Sequence, residues 1–222
     1  MTRKIVFLAA IAVAVTLSST VVPRTAYAQL SKKQSKQLKK ELDKQYKKKI
    51  KEYKAEKWSL SGSSRTIDVA LLEHYAKLAE TDQNVEFVGE VSQCQSINIC
   101  GQSALNNAQN RYVALASDHV KRGITDSVLR GDAIMPQTEI DNFTTVFANR
   151  LEADVGSVLT PSYSIVRDNG TTREYKTFFI MNEENAGAVR RRAMDRSISE
   201  NKKASAEAEA LLKLVDEHFS LD

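Results

Sequence analysis

Residues 85–130 read VEFVGEVSQCQSINICGQSALNNAQNRYVALASDHVKRGITDSVLR, and the fold turns on this stretch. Val85, Phe87, Gly89 and Val91 alternate with Glu86, Val88, Glu90 and Ser92, most of which are polar. A period of two describes a half-buried β-strand. Cys94 and Cys100 bracket a short loop, and beyond it Ala104, Ala108, Tyr112, Leu115, Ala116 and His119 recur every three or four residues. That spacing predicts a long helix from about Gly101 to Arg130. Small residues four apart let such a helix approach a sheet closely, so the stretch reads as a strand and its covering helix.

Downstream, Met135-Pro136-Gln137 interrupts the chain. Thr138 fits an N-cap with Asp141 three residues on, and Ile140, Phe143, Phe147 and Leu151 predict a helix over 139–155. Gly156 can end that helix in a left-handed conformation. The period then returns to two. Leu159, Pro161, Tyr163 and Ile165 alternate with polar residues, Asn169-Gly170 signals a hairpin, and Arg173–Met181 is the return strand. A last helix runs from Glu183 to about Phe219, capped by Asn182 or Asn185. Its Arg190-Arg191-Arg192 run reads as a solvated face. Upstream, Arg65–Glu80 is a helix with Ile67, Leu71, Tyr75 and Leu78 inward and Ser63 or Ser64 as cap. Ser59–Ser64 reads as a flexible turn, and Trp58 before it as a core anchor.

The fold class is therefore α+β: a small antiparallel sheet of about three strands packed against long helices on one face, with a basic N-terminal helix. The strands are Val85–Val91, Leu159–Val166 and Arg173–Met181. Of the 222 residues, 1–28 read as a signal peptide, 29–63 as a Lys-rich helical arm and linker, and 64–222 as the α+β domain. The leader has a basic start (Arg3, Lys4), an apolar run over 5–17 and Ala26-Tyr27-Ala28 before Gln29. The apolar run is shorter than the ~20 residues a membrane span needs. The expected location is periplasmic or outer-envelope associated, with no transmembrane segment after the leader is removed.

The formal charge of +4 conceals a division. Residues 29–57 hold twelve lysines against Glu41, Asp43, Glu52 and Glu56, a net of +8, while residues 58–222 carry −7. Leu38, Leu42, Tyr46, Ile50 and Tyr53 form one apolar stripe along this arm. Three readings are open. The arm docks on an anionic envelope surface through Lys39, Lys40, Lys44, Lys47, Lys48, Lys49 and Lys51; or the stripe is a coiled-coil seam; or it lies on the protein's own body and the lysines are solvated. Nucleic acid is not expected as a partner, because the segment is exported and its aromatics are not interleaved as a stacking platform.

Motifs that carry chemistry are missing. His74, His119 and His218 stand singly, and there is no His-x-x-x-His, nucleophile elbow or phosphate-binding glycine loop. Ser199-Glu200-Asn201-Lys202 has a Ser-x-x-Lys spacing without its companion motifs. Cys94 and Cys100, the two cysteines of an exported chain, are expected to form a disulfide. A metal site would want further Cys or His within reach, and a redox centre a Cys-x-x-Cys. No catalytic residue, metal or cofactor is expected.

The order of these features resembles Bacteroidetes-type exported proteins of unassigned function. The residues that carry the resemblance are Lys47–Lys57, Trp58 to Gly62, Ile67–Tyr75, Val88-Gly89-Glu90-Val91-Ser92, the Ala104, Ala108, Ala114 series, and the hairpin from Tyr163 to Tyr175. The core is similar to the superfamily of small envelope lipoproteins and the N-terminal domain of the flagellar assembly protein FlgT, although the chain lacks a lipidated cysteine. The resemblance implies a non-enzymatic envelope domain used in assembly or interaction, and assigns no functional residue. The alternatives are a binding module for an anionic envelope polymer or lipopolysaccharide through the lysine helix, and an uncharacterised enzyme.

Overall fold

The computed structural model describes residues 32–131 and 135–200; in the first helix, side chains are described at Lys40 and from Asp43 onward. Residues 1–31, which include the expected leader, residues 132–134 and everything after Glu200 lie outside the described residues. So do the predicted continuation of the last helix to Phe219 and the side chains of Leu38, Lys39 and Leu42.

The described elements are α1 (Lys32–Ala55), β1 (Ser59–Leu60), α2 (Ile67–Leu78), β2 (Asn84–Cys94), α3 (Ile97–Leu129), α4 (Gln137–Val155), β3 (Leu159–Asn169), β4 (Thr172–Asn182) and α5 (Glu183–Glu200). A short 3-10 turn, Gly156–Val158, joins α4 to β3. The class is α+β. The sheet has four strands rather than about three, all antiparallel, in the order β1-β3-β4-β2. The extra strand is two residues at the edge, Ser59 and Leu60 paired with Val166 and Ile165, where sequence reading placed a flexible turn. Two residues are too few to show a period of two.

Helices cover both faces of the sheet, which corrects the one-face expectation. In β4, Tyr175, Thr177, Phe179 and Met181 point to one side, toward α3 and α5, and Phe178 to the other, under α1 and α2. A strand buried on both sides reads as a nearly continuous apolar run, and Phe178-Phe179-Ile180-Met181 is one. In β3 the change of face is made by a bulge. Pro161 pairs with Phe179 and Tyr163 with Phe178, so Ser162 is extra. Leu159 before the bulge joins the α3–α5 side, whereas Tyr163 and Ile165 after it join the α1–α2 side.

β2 carries a second bulge, between Val91 and Cys94. It turns Cys94 to the side that Val91 already faces, beneath α3, where Cys100 is fully buried. The two cysteines form a disulfide with Cα atoms 5.5 Å apart. Only Gln95 and Ser96 separate β2 from α3, so the helix folds straight back over its own strand. Gly89 makes this possible: a Cβ there would be driven into the Ala104 carbonyl, with the Ala104 Cα 3.2 Å away. Ala104, Ala108, Tyr112, Ala116 and Val120 then bury along the same stripe. α4 packs on α3 through Ile140, Phe143, Phe147 and Leu151, and α5 packs on α4.

The caps of α2 and α4 and the hairpin turn differ from the sequence expectation. α2 is capped by Thr66, whose side chain accepts from the Val69 N–H, not by Ser63 or Ser64. Pro136 stands at the α4 N-cap in place of Thr138, and Gly156 is right-handed (φ −57°), because the chain continues into the 3-10 turn. The hairpin turn is displaced by one residue. Asn169 pairs with Thr172, so Gly170 and Thr171 are central, and Gly170 alone takes positive φ (+77°). That is the pattern of a turn with glycine first, not of an Asn-Gly turn. Asn182 caps α5 as expected, accepting from the Asn185 N–H at 3.2 Å.

Gly89→Ala should destabilise the protein by about 3 kcal/mol, the upper end for overpacking, because the obstacle is backbone. A urea titration showing a lowered midpoint with an unchanged slope would register it. Thiol titration of the unfolded, unreduced protein should find no free thiol.

Candidate functional site

The seven lysines named from sequence do not all do the same thing. Lys40, Lys44, Lys47, Lys48 and Lys51 are exposed on α1. Lys49 is half-buried and turns inward, its Nζ 5.3 Å from the centre of the Phe178 ring and 6.0 Å from that of Tyr53. It therefore belongs to the interior cluster below and not to a surface contact. Lys39 lies in α1, with its side chain outside those described.

The apolar stripe explains this division. Ile50 and Tyr53 are buried and Tyr46 packs against them, together with Trp58, Leu71, Tyr163 and Phe178. The described half of the stripe lies on the protein's own body, so it is not a coiled-coil seam. At about 100° per residue, burying Tyr46, Ile50 and Tyr53 directs Lys44, Lys48 and Lys51 outward. Lys47 and Lys54 then fall on the side toward α2, where Lys54 pairs with Asp68 at 3.4 Å. Glu52 and Glu56 fall on the opposite flank, and Glu56 accepts from Trp58 Nε1 (2.9 Å) and Arg167 (3.1 Å). The helix ends in a left-handed residue, Lys57 (φ 61°). Lys57 N–H bonds to Lys54 O and Trp58 N–H to Tyr53 O, the paired bonds of a Schellman motif. Trp58 is buried, as expected, with the Arg167 guanidinium 4.7 Å from its ring centre.

Beneath α1 lies a cluster that the sequence did not reveal. His74 of α2 is fully buried, with its Nε2 2.6 Å from Glu86 Oε2 on β2. His74 Nδ1 has no hydrogen-bond partner. Tyr163, Tyr75 and Phe178 surround the imidazole, with ring centres 5.2, 5.9 and 6.1 Å away. The Tyr53 and Tyr163 hydroxyls are 3.2 Å apart. Burial pushes the pKa of both phenols up, and that of Tyr75 up to about 12. For Glu86, burial favours the neutral acid, but the His74 hydrogen bond and the nearby Lys49 charge outweigh it, so its pKa falls below the ordinary carboxylate range. The expected signal, a charged residue at an inward strand position, was present in Glu86. The period of two in β2 describes one buried face, whereas the strand is covered on both.

A second polar group lies on the other side of the sheet. Arg190 is buried (3 % exposed), which corrects the reading of the arginine run as a solvated face; Arg191 and Arg192 are exposed. Arg190 donates to the Tyr112 hydroxyl at 2.5 Å and to Glu183. Burial raises the Tyr112 pKa to about 12, against the opposing effect of Arg190. The group ties α5 to α3.

Among the described residues no three His, Cys, Asp or Glu side chains converge on a metal position, and no helix is long and apolar enough to cross a membrane. His74 and His119 remain apart, on α2 and α3; His218 lies outside the described residues. A shallow groove along α3, lined by Asp118, Lys121, Arg122, Thr125 and Asp126, is a helix surface. Comparison with family models, curated proteins and solved structures found no match.

Glu86→Leu should cost about 1–3 kcal/mol at neutral pH, since it strands a buried imidazole N–H. The lowered folded-state pKa of Glu86 means its contribution is complete above the ordinary carboxylate range and is lost as pH falls through the folded value. Chemical denaturation across that range should therefore show the gap between wild type and Glu86→Leu narrowing as the medium is acidified.

Proposed function

We propose that the protein is a non-enzymatic, exported interaction module of the cell envelope whose contact surface is the lysine face of α1. The observation that carries this reading is the fate of the apolar stripe. With Tyr46, Ile50 and Tyr53 occupied by the protein's own core, α1 is held in place and offers Lys44, Lys47, Lys48 and Lys51 to solvent. A cationic helix fixed on a body of net negative charge favours an anionic partner and orients the molecule toward it. The leader at 1–28 and the Cys94–Cys100 disulfide both favour an oxidising compartment outside the cytoplasm. The resemblance to small envelope domains points the same way. In that compartment the partner class is an anionic envelope polymer or lipopolysaccharide.

The test replaces Lys44, Lys47, Lys48 and Lys51 by Glu in the exported protein and measures retention on immobilised lipopolysaccharide. Wild type should be retained at low salt and released as ionic strength rises, because exposed charges are screened. The variant should lose at least tenfold in affinity while keeping its urea midpoint. Equal retention of the two proteins would refute the proposal.

A further inference from the structure

The outward side of α2 adds something that a purely electrostatic surface does not need. The helix reads IDVALLEHYAKL, apolar nearly all the way round. Its inward side buries Ala70, Leu71 and His74. On the opposite side Val69 is 42 % and Leu72 54 % exposed, and Ala76 is exposed in line with them. A helix with apolar residues on every side is ordinarily covered on every side.

The position of this stripe relative to α1 follows from the contacts. At the outer edge of the α1–α2 contact, Asp68 meets α1 through Lys54 and through its backbone carbonyl with the Tyr46 hydroxyl, and Tyr75 through the Tyr46 ring. At about 100° per residue, Leu72 falls between that contact side and the outward direction of Val69 and Ala76. Leu72 therefore borders the side of α1 that carries Lys47 and Lys51. Of the neighbouring acids, Asp68 is paired with Lys54 and Glu73 with Arg65, and Asp43 stands one turn before Lys47 on α1. The α1–α2 layer thus presents an apolar strip beside the exposed lysines of α1.

We propose that this layer docks on an anionic lipid leaflet, with Lys47, Lys48 and Lys51 on the headgroups and Val69, Leu72 and Ala76 set at the acyl boundary. The inference rests on the lysine-face function and specifies its partner. A polyanionic chain satisfies the lysines but offers nothing to Leu72 and Val69. A leaflet offers negative charge at its surface and apolar volume a few ångströms below it, the arrangement that interfacial helices exploit.

Sedimentation with vesicles of mixed phosphatidylglycerol and phosphatidylcholine, with pure phosphatidylcholine as control, tests this. Retention on dextran sulfate beads supplies a lipid-free polyanion. Wild type should bind the anionic vesicles and not the control. Val69→Ser combined with Leu72→Ser should weaken vesicle binding about tenfold, the effect of withholding two half-exposed apolar side chains from the leaflet, and leave dextran sulfate retention unchanged. Lys47, Lys48 and Lys51 changed together to Glu should lose both. As a readout independent of affinity, L72W emission should be quenched by lipids brominated in the acyl chain, beyond any change in the native Trp58 signal. If the serine variant binds vesicles like wild type, or the L72W signal is unquenched, the leaflet inference falls and the lysine-face function stands. If the glutamate variant binds both probes undiminished, both fall.

Discussion

A helix that begins two residues after its own strand has to lie on that strand, and the two backbones must nearly touch. Gly89 and Ala104 meet this constraint, one by having no side chain and the other by having a methyl group. The rest of the α3–α5 side follows from it. The Val91–Cys94 bulge turns Cys94 under the helix, and the disulfide closes the connection at the point where the chain reverses. Once α3 lies flat on β2, its small-residue stripe brings Tyr112, Val120 and Ile124 onto the core. α4 then has a surface to pack on, and α5 packs on α4. Because the closed loop is short, the disulfide's effect on chain entropy is modest, about 2 kcal/mol. It holds a geometry that the packing already favours.

The other side of the sheet exists because β4 is apolar in both directions and because Ser162 is extra in β3. Without that bulge, Tyr163 and Ile165 would point with Leu159 toward α4 and α5, and α1 and α2 would have little to cover. With it, Tyr163 stacks on Phe178, ring centres 4.3 Å apart and nearly parallel, and the pair forms the floor on which Ile50, Tyr53 and Leu71 sit. The two-residue strand β1 and the left-handed turn at Lys57 then tie α1 to the sheet edge. From Tyr46 onward the lysine helix is part of the folded layer.

Much of this order was legible. Long periodic segments announced α3, α4 and the β3–β4 hairpin, since a stripe of five or more apolar residues outweighs local propensity. What escaped was set by tertiary contacts that leave a weak local trace. β1 is too short to show a period. The cap of α2 shifted from Ser63 or Ser64 to Thr66, since several polar residues in a row compete for one position. The hairpin register moved by one because glycine serves as well at the first central position as at the second. The lysines were legible as a group, but not that Lys49 turns inward, which depends on the rings of Tyr53 and Phe178 meeting across a fold. His74 and Glu86 are twelve residues apart on different elements, and Arg190 was masked by the two exposed arginines that follow it.

The buried polar contacts of α2 solve a problem that its own sequence creates. Val69 and Leu72 are as apolar as Ala70 and Leu71, so burial alone does not decide which side of this helix faces the sheet. Directional contacts do. His74 reaches Glu86 on β2, while the Asp68 carboxylate and carbonyl meet Lys54 and Tyr46 of α1. Rotating the helix to bury Leu72 and Val69 would drag the imidazole toward solvent and strand Glu86, a penalty of about 1–3 kcal/mol for an unpaired buried group and more for a charged one. The gain in apolar area would be of the same order, since each side chain is already half covered. The polar pair thus tips a nearly balanced choice. The side it leaves uncovered is the one next to the lysines of α1, so the interior chemistry of His74 and Glu86 sets the character of the surface above it.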